Sequence, residues 1–235
     1  GGLADARNFG FAKVEGEYCA FIDSDDEIEP TFVEKLLVCA QEFDTDITLC
    51  LVQIISGATG EKLRETPALK AGFENRAFNY KEIRGVLFQN TVGVWNKLFR
   101  TEFLKQNKIQ FIKGLQFEDF PFYAETMVKA ERLGFVPEAL HKYSYLRPGS
   151  VTAKRSGEYL DLVKGMKHAK ATLEKAGCYE ELKASFLDYK WERLLSAYVM
   201  IHTDFKEQMS EAMRIELASD SADMKKLGKQ IKFGG

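Results

Sequence analysis

An acidic cluster follows directly after a short apolar run near the start of the chain. Residues 18–22 (YCAFI) are predicted to form a buried strand, and Asp23-Ser24-Asp25-Asp26 comes next. Carboxylates packed this closely repel one another, so the cluster needs solvent or a cation for stability. Mg²⁺ and Mn²⁺ prefer oxygen ligands, and magnesium usually binds one or two carboxylates together with substrate phosphates. Because Asp23 and Asp25 are two positions apart in an extended segment, they point the same way and are candidate metal ligands.

Three other interpretations of the acidic cluster compete with a metal site. It could be a solvated turn that caps the helix predicted to begin near Pro30, with Asp26 close to the helix N-terminus. An EF-hand loop is disfavoured because Ile28 occupies the position that requires glycine, and because a strand precedes the cluster. A phosphatase-type aspartate nucleophile is disfavoured because no partner residues for it are visible.

A glycine- and alanine-rich segment lies just before this strand. Residues 2–10 read GLADARNFG, which predicts a short helix that leads into the turn Glu15-Gly16-Glu17. Arg7 is the one cation in this segment, and a guanidinium suits a phosphate group. We therefore expect Arg7 to lie near the same crevice, at the carboxyl end of the strand, where α/β folds bind ligands.

Taken together, residues 2–30 resemble the central motif of inverting family 2 glycosyltransferases with the GT-A fold. The shared pattern is a Gly-x-x-x-Ala-Arg-Asn-x-Gly helix, a Gly-Glu-Tyr turn, a strand, an Asp-x-Asp motif and a helix started by proline. The resemblance implies a nucleotide-diphosphate-sugar donor, with UDP as the first choice of nucleotide. It also implies Mn²⁺ or Mg²⁺ on Asp25 and Asp23, with Asp26 and Arg7 as further donor contacts.

A second segment, residues 95–122, resembles the acceptor side of the same family. There the second acid of a pair at a helix start is the general base, which implies Asp119 with Glu118 as its neighbour. A carboxylate can take the proton of an attacking hydroxyl, and a metal can offset the charge on a leaving diphosphate. The alternative is that both acids cap the helix predicted over 120–133. Trp95 and Lys97 either bound the sugar site or belong to the core.

The segment 143–152 also resembles this family, in which an aromatic–Arg–Ser loop lies near the donor diphosphate. Arg147 and Ser150 are therefore candidate phosphate contacts. An exposed arginine and a serine in a turn are the competing interpretation. The three histidines lie far apart and are interpreted as satisfied or solvated.

The order of predicted elements indicates an α/β fold with a mainly parallel sheet flanked by helices, Rossmann-like and of GT-A type. We expect a catalytic domain over residues 1–154 and a helical C-terminal region over 155–235. The predicted strands are 18–22, 47–55, 109–112 and 135–145; the predicted helices are 33–40, 80–88, 99–108, 120–133, 158–176, 179–202 and 206–227.

The family's opening segment, which reads the nucleotide base, has no counterpart in these 235 residues. The expectation is that the natural protein extends upstream or that another chain covers this sheet edge. A chain without that segment can be inactive even where its parent is an enzyme. The alternative function is a non-catalytic GT-A-like binding or scaffold module.

The amino-acid composition limits the classes of binding partner and the cellular location that we expect. With 33 Lys and Arg against 35 Asp and Glu, the formal net charge is −2, which gives no electrostatic case for nucleic acid. No signal peptide, membrane span or Cys-x-x-Cys pair is visible, so we expect a cytoplasmic protein. A lysine-rich tail over residues 225–232 suggests peripheral contact with the membrane or, alternatively, a solvated helix end. The implied acceptor is a bacterial surface glycan or a lipid-linked saccharide, and oligomer formation is left open.

Overall fold

One long strand, rich in β-branched residues, forms the centre of a six-stranded sheet. In the computed structural model, which describes residues 2–66, 69, 72–147 and 149–226, this strand is β3. The strands are β1 (Tyr18–Cys19), β2 (Glu27–Ile28), β3 (Ile47–Ser56), β4 (Lys62–Glu65), β5 (Lys97–Arg100) and β6 (Leu133–Tyr145). The helices are α1 (Leu3–Phe11), α2 (Phe32–Glu42), α3 (Thr101–Gln106), α4 (Asp119–Lys129), α5 (Val151–Lys154), α6 (Asp161–Lys175), α7 (Tyr179–Met200), α8 (Lys206–Ala218) and α9 (Ser221–Lys226).

The expected α/β fold is present, but the prediction of a mainly parallel sheet is wrong for the described strands. The strand order is β1-β5-β3-β6-β2, with β4 on β3, and β3 with β6 is the parallel pair. The pairs β1–β5, β2–β6, β3–β4 and β3–β5 are antiparallel. A tight turn before β4 sends the chain straight back along β3, and such a connection joins antiparallel strands only.

Several predicted elements differ in the structure because they depend on tertiary contacts that the local sequence pattern does not show. Of the strand predicted over 18–22, two residues pair, and the rest leads into the acidic turn. Residues 109–112 are buried in part but form no strand, and residues 80–88 form turns that end in a short 3₁₀ helix, Leu87–Gln89. The helix predicted over 99–108 begins later than expected. Residues 97–100 form β5, and α3 begins at Thr101.

The C-terminal helices pack on α4 and share its hydrophobic core. The largest cluster of buried side chains runs from Ala4 in α1 to Leu217 in α8. Rings join the two parts of the chain: Phe186 lies 5.7 Å from Phe88, and Tyr189 stacks on Phe120 at 4.5 Å. None of the helices in the described part of the chain has the length and apolar character needed to cross a bilayer.

Candidate active site

Helix α1 delivers one arginine to the interior of the protein. Ala4 and Arg7, three residues apart, form the buried face of this helix. The next residue, Asn8, fixes the helix to a distant loop, because its side chain donates to the Phe111 carbonyl at 2.8 Å and accepts from the Phe111 amide at 2.9 Å. The Arg7 guanidinium lies 5.2 Å from the Phe111 ring centroid, and the side chain is 6% exposed.

Arg7 joins three carboxylates that are far apart in sequence. Its Nη1 donates to Glu118 Oε1 at 2.6 Å and to Asp119 Oδ1 at 2.5 Å, while Nη2 donates to Asp23 Oδ1 at 2.6 Å. The sequence predicted all four residues as site residues and placed Arg7 on the donor phosphate. In the structure, Arg7 instead binds the carboxylates of the donor-side and acceptor-side motifs together.

Burial and mutual charge set the proton affinities of these groups. Burial raises the pKa of Glu118 to about 7, the charge of Asp119 adds to the shift, and Arg7 opposes it. Burial also raises the pKa of Asp119, again against the effect of Arg7 and with a contribution from Asp23. Burial would lower the pKa of Arg7, but its three carboxylate partners outweigh that effect and raise it. The acid pair therefore binds a proton more readily than an exposed pair would.

The backbone that presents the acid pair is strained. Phe117, directly before Glu118, has a φ of 57°, a left-handed conformation that costs a bulky residue of order 1–3 kcal/mol. Glu118 then forms the N-cap position of α4, and Asp119 is its first residue, but neither side chain makes a cap hydrogen bond. The interpretation of these acids as simple helix caps is thus not supported by the geometry.

Asp25 and Asp26 occupy different environments from Asp23. Asp25 Oδ2 accepts from Arg147 Nε at 2.9 Å, and the two side chains are 30% and 46% exposed. The Asp26 side chain is 2% exposed and accepts from the Ser144 amide at 3.0 Å. Burial raises the pKa of Asp26 to about 7, with contributions from Asp23 and Asp25. The Asp26 carboxylate is thus buried against β6, and its contact with the donor stays a prediction.

Behind Asp26 lies a stack of aromatic rings that we call the aromatic platform: Trp95, His141 and Tyr143. The Trp95 ring lies 4.4 Å from that of His141 and 5.2 Å from that of Tyr143. His141 is fully buried, and neither ring nitrogen has a hydrogen-bond partner among the described residues. Burial lowers the pKa of His141 to about 4, so the ring is neutral near pH 7. The interpretation of every histidine as satisfied or solvated is wrong for this one.

Two other predicted residues, Lys97 and Ser150, have partners within the protein. Lys97 is 1% exposed, and its ammonium donates to the carbonyls of Thr91 and Gly93 at 2.8 and 2.6 Å, which places it in the core. Burial lowers its pKa to about 7. Ser150 accepts from the Ala153 amide at 3.3 Å as the N-cap of α5, and its contact with phosphate stays a prediction.

A cavity of about 410 Å³ lies beside these groups. Asp23, Glu118 and Asp119 line it, together with Trp95 and Tyr143 of the aromatic platform. The remaining wall comes partly from the C-terminal helices, through Leu162 of α6 and Tyr189 and Arg193 of α7. Sequence reasoning missed these last residues because their helices carry no family motif. The cavity has the size and mixed lining of a small-molecule site.

The acidic residues fit a divalent cation only in part. Among the residues that the structure describes, no group of three or more His, Cys, Asp or Glu side chains is placed to hold a metal ion. Asp23 and Asp25 are both bound by guanidinium groups, and together they offer two carboxylates. Two carboxylates match the donor set that Mg²⁺ uses when substrate phosphates complete its shell.

The fold is of the GT-A type, and comparisons with solved structures agree. Residues 1–349 of TarS from Staphylococcus aureus have a solved structure that aligns with a TM-score of 0.68 and 19% identity, covering 97% of this chain and 63% of that one. The same fragment in complex with UDP-GlcNAc aligns with a TM-score of 0.56 and 16% identity, covering 100% and 74%.

The sequence comparisons identify the family. The model named Glycosyl transferase family 2 matches residues 1–106. The uncharacterized glycosyltransferase YibD of Escherichia coli (strain K12) is 27% identical over 230 residues, 91% of this chain and 59% of that protein. The poly(ribitol-phosphate) beta-N-acetylglucosaminyltransferase TarS of S. aureus (strain MW2) is 22% identical over 233 residues, 99% of this chain and 38% of that protein. The match of residues 1–106 to this family model agrees with the predicted resemblance, and the chain spans 59% or less of these two relatives.

Proposed function

We propose that the site moves a sugar from a nucleotide-diphosphate-sugar to an acceptor hydroxyl, with inversion at the anomeric carbon. The observation that carries this proposal is the joining of Asp23, Glu118 and Asp119 by one guanidinium at the wall of a 410 Å³ cavity. A base, an acidic turn and room for a sugar ring thus meet in one place.

Asp119 is the proposed general base. Its side chain lines the cavity and keeps 27% of its surface exposed, so an acceptor hydroxyl can approach it. In the transfer step, the acceptor oxygen forms a bond to the anomeric carbon, and the bond from that carbon to the diphosphate breaks. The electron pair leaves with the diphosphate, and the hydroxyl proton passes to Asp119. Glu118, 3% exposed, is a positioning residue that holds Arg7.

Asp23 and Asp25 are the proposed ligands of Mn²⁺ or Mg²⁺. When bound, such a cation offsets the negative charge that develops on the leaving diphosphate. Arg147, about half exposed and next to Asp25, is the proposed diphosphate contact of this chain. UDP is the proposed nucleotide. This choice is supported by the structural relative TarS, which was solved in complex with UDP-GlcNAc.

Acceptor and location are part of the same proposal. We expect a glycan or lipid-linked acceptor in bacterial surface polysaccharide synthesis, in line with the printed name of TarS. A cytoplasmic location is proposed, with the lysine-rich tail at the inner face of the membrane. Residues 227–232 of that tail lie outside the described residues.

Calorimetry with UDP and GDP, each with and without Mn²⁺, tests the donor site. We expect UDP binding that requires Mn²⁺ and that Asp25→Ala abolishes. The base is tested by UDP release from UDP-GlcNAc in the presence of supplied saccharides. Asp119→Asn should lower that rate by about 100-fold or more while UDP affinity stays near the wild-type value.

A matched control comes from the same helix. Glu125 lies on α4 and pairs with Lys129 on the surface, so Glu125→Gln should change neither rate nor affinity. An Asp119→Asn rate equal to that of the wild type would contradict the proposed base and favour a non-catalytic binding module.

A further inference from the structure

Two arginines in the cavity wall form no ion pair among the described residues: Arg64 of β4, which is exposed, and Arg193 of α7, which is half-buried. Arg193 lies one helical turn after Tyr189 on α7, and both line the 410 Å³ cavity. Arg193 is half-buried, and in the described part of the chain no Asp or Glu side chain forms an ion pair with it. Its guanidinium carbon lies 5.9 Å from the centroid of the Phe117 ring. A half-buried charge of this kind favours a ligand that supplies the opposite charge.

Two aromatic side chains, Phe117 and Tyr189, connect Arg193 to the segment that carries the proposed base. Phe117, which it overlies, is two residues before Asp119. Tyr189, one turn away, stacks on Phe120, one residue after Asp119, with ring centroids 4.5 Å apart. Burial raises the pKa of Tyr189, which the charge of Arg193 opposes and that of Asp119 reinforces. A ligand group held by Arg193 therefore lies in the same chamber as the base.

A smaller cavity of about 40 Å³ adjoins this position. Arg193 and Tyr145 line both cavities, and Tyr159 lines the smaller one. Burial raises the pKa of Tyr159, and the positive charges of Arg193 and Arg155 oppose that shift. Arg155, like Arg193, has no ion pair among the described residues. The space is large enough for a small oxyanion or a few water molecules, with hydroxyl groups and positive charge around it.

The cations in and beside the cavity differ in whether carboxylates neutralise them. Arg7 is committed to three carboxylates, so it has little capacity left for a negatively charged ligand. Arg193, on the wall supplied by the C-terminal helices, forms no ion pair with any residue that the structure describes. Guanidinium groups bind phosphate and carboxylate oxygens in pairs, which gives both affinity and orientation.

We infer that Arg193 recognises an oxyanion, phosphate or carboxylate, carried by the acceptor. This inference rests on the proposed function, because the anion belongs to the molecule whose hydroxyl Asp119 deprotonates. The C-terminal helices would then select charged acceptors. An oxyanion here has a second possible source, the donor diphosphate, and the experiment below separates the two.

The test measures binding rather than turnover. Glucose 6-phosphate, glucuronate and neutral methyl glucoside are titrated into the protein, followed by calorimetry or saturation-transfer NMR, with and without UDP and Mn²⁺. We expect at least one of the two anionic sugars to bind about 10-fold or more tightly than the neutral one. Arg193→Gln should remove that preference, and Arg193→Lys should retain part of it. Arg214→Gln, an equal charge change on the surface of α8, should leave the preference as in the wild type.

Two results would overturn the inference. One is equal affinity of the wild type for neutral and anionic sugars, or a preference that survives Arg193→Gln. The other is an Arg193→Gln loss that falls on UDP affinity instead, which would assign the arginine to the donor diphosphate. Failure of the proposed function has a different signature: neither UDP binding nor UDP release is detected, while the comparison of anionic with neutral sugars is still measured in the same protein.

Discussion

Arg7 is the cation on which the proposed active site depends most. The substitution Arg7→Gln removes the hydrogen-bond donor and the positive charge that Glu118, Asp119 and Asp23 share. Because the three carboxylates come from separate segments, the variant tests both the stability of the fold and the assembly of the site. Arg7→Lys keeps the charge but replaces a planar fork by a single ammonium, so it should be intermediate.

The magnitude follows mainly from Glu118, which is 3% exposed. Its pKa of about 7, against an ordinary value of 4.5, means that the charged form already costs about 3 kcal/mol in the folded protein. Loss of one partner of a buried ion pair costs about 3–5 kcal/mol. Asp23 and Asp119 add less, because about a quarter of each side chain is exposed and solvent screens them. We expect Arg7→Gln to lower the free energy of unfolding by about 3 kcal/mol at pH 8.

The loss should depend on pH with a definite sign. The pKa of Glu118 is higher in the folded than in the unfolded state, so its contribution to stability falls as pH rises from about 4.5 to about 7. At pH 5, Glu118 is neutral with or without Arg7, and the difference between variant and wild type should be small. It should grow towards pH 8, where Arg7 stabilises the charged Glu118 carboxylate of the wild type, and the variant must either bury that charge without its partner or keep a proton on it.

Urea unfolding, followed by circular dichroism at pH 5, 6.5 and 8, measures this difference. The matched control is Arg214→Gln, which breaks a surface pair with Glu211 at 2.6 Å and should cause no measurable loss at any pH. Equal losses for the two variants at pH 8 would refute the role assigned to Arg7. An Arg7→Gln loss that is the same at pH 5 as at pH 8 would refute the charge argument.

Three further substitutions test other parts of the structure. Burial raises the pKa of Asp26 to about 7, so its contribution to stability should fall between about pH 4 and 7; in urea unfolding of metal-free protein, Asp26→Asn should remove that part of the fall and be the more stable form at pH 8. A Cβ on Gly93 would lie 2.4 Å from the indole of the aromatic platform, so Gly93→Ala should shift tryptophan fluorescence and weaken UDP-sugar binding, whereas Gly85→Ala, with open space, should do neither. Lys190 is fully buried between two carboxylates, so Lys190→Met should lower the free energy of unfolding by about 3–5 kcal/mol. The control Lys164→Met, at an exposed position, should change it little.

The elements that the sequence predicts well are those whose own pattern determines their burial. The apolar run 47–55 becomes β3, and the stripe that includes Leu36 and Ala40 faces the core from α2. The predicted strand 109–112 fails for the opposite reason. The amide and carbonyl of Phe111 bond to the side chain of Asn8, about a hundred residues away, and no strand of the described residues pairs with this segment. Local pattern contains no information about such a partner.

The candidate site, like the fold, could be predicted from the sequence only in part. Motif spacing was enough to choose Asp23, Glu118 and Asp119, all of which line one cavity. It could not show that Arg7 binds these acids rather than a phosphate, since that depends on how α1 is held against the rest of the chain. Arg193 was missed entirely, because a single arginine on an ordinary amphipathic helix has no distinguishing pattern until the helix is placed.

The shared guanidinium has a consequence for how the two halves of the site act together. Asp23 belongs to the donor-side motif and Asp119 to the acceptor side, 112 residues after Arg7, yet both accept from that one group. A positive charge divided between them opposes the effect of burial, which raises the pKa of Asp119. If a ligand draws Asp23 away from Arg7, the arginine is left to the acid pair and holds Asp119 more firmly in its charged form. Occupation of the donor side would then favour the protonation state that a base needs, through electrostatics alone and without a change of fold.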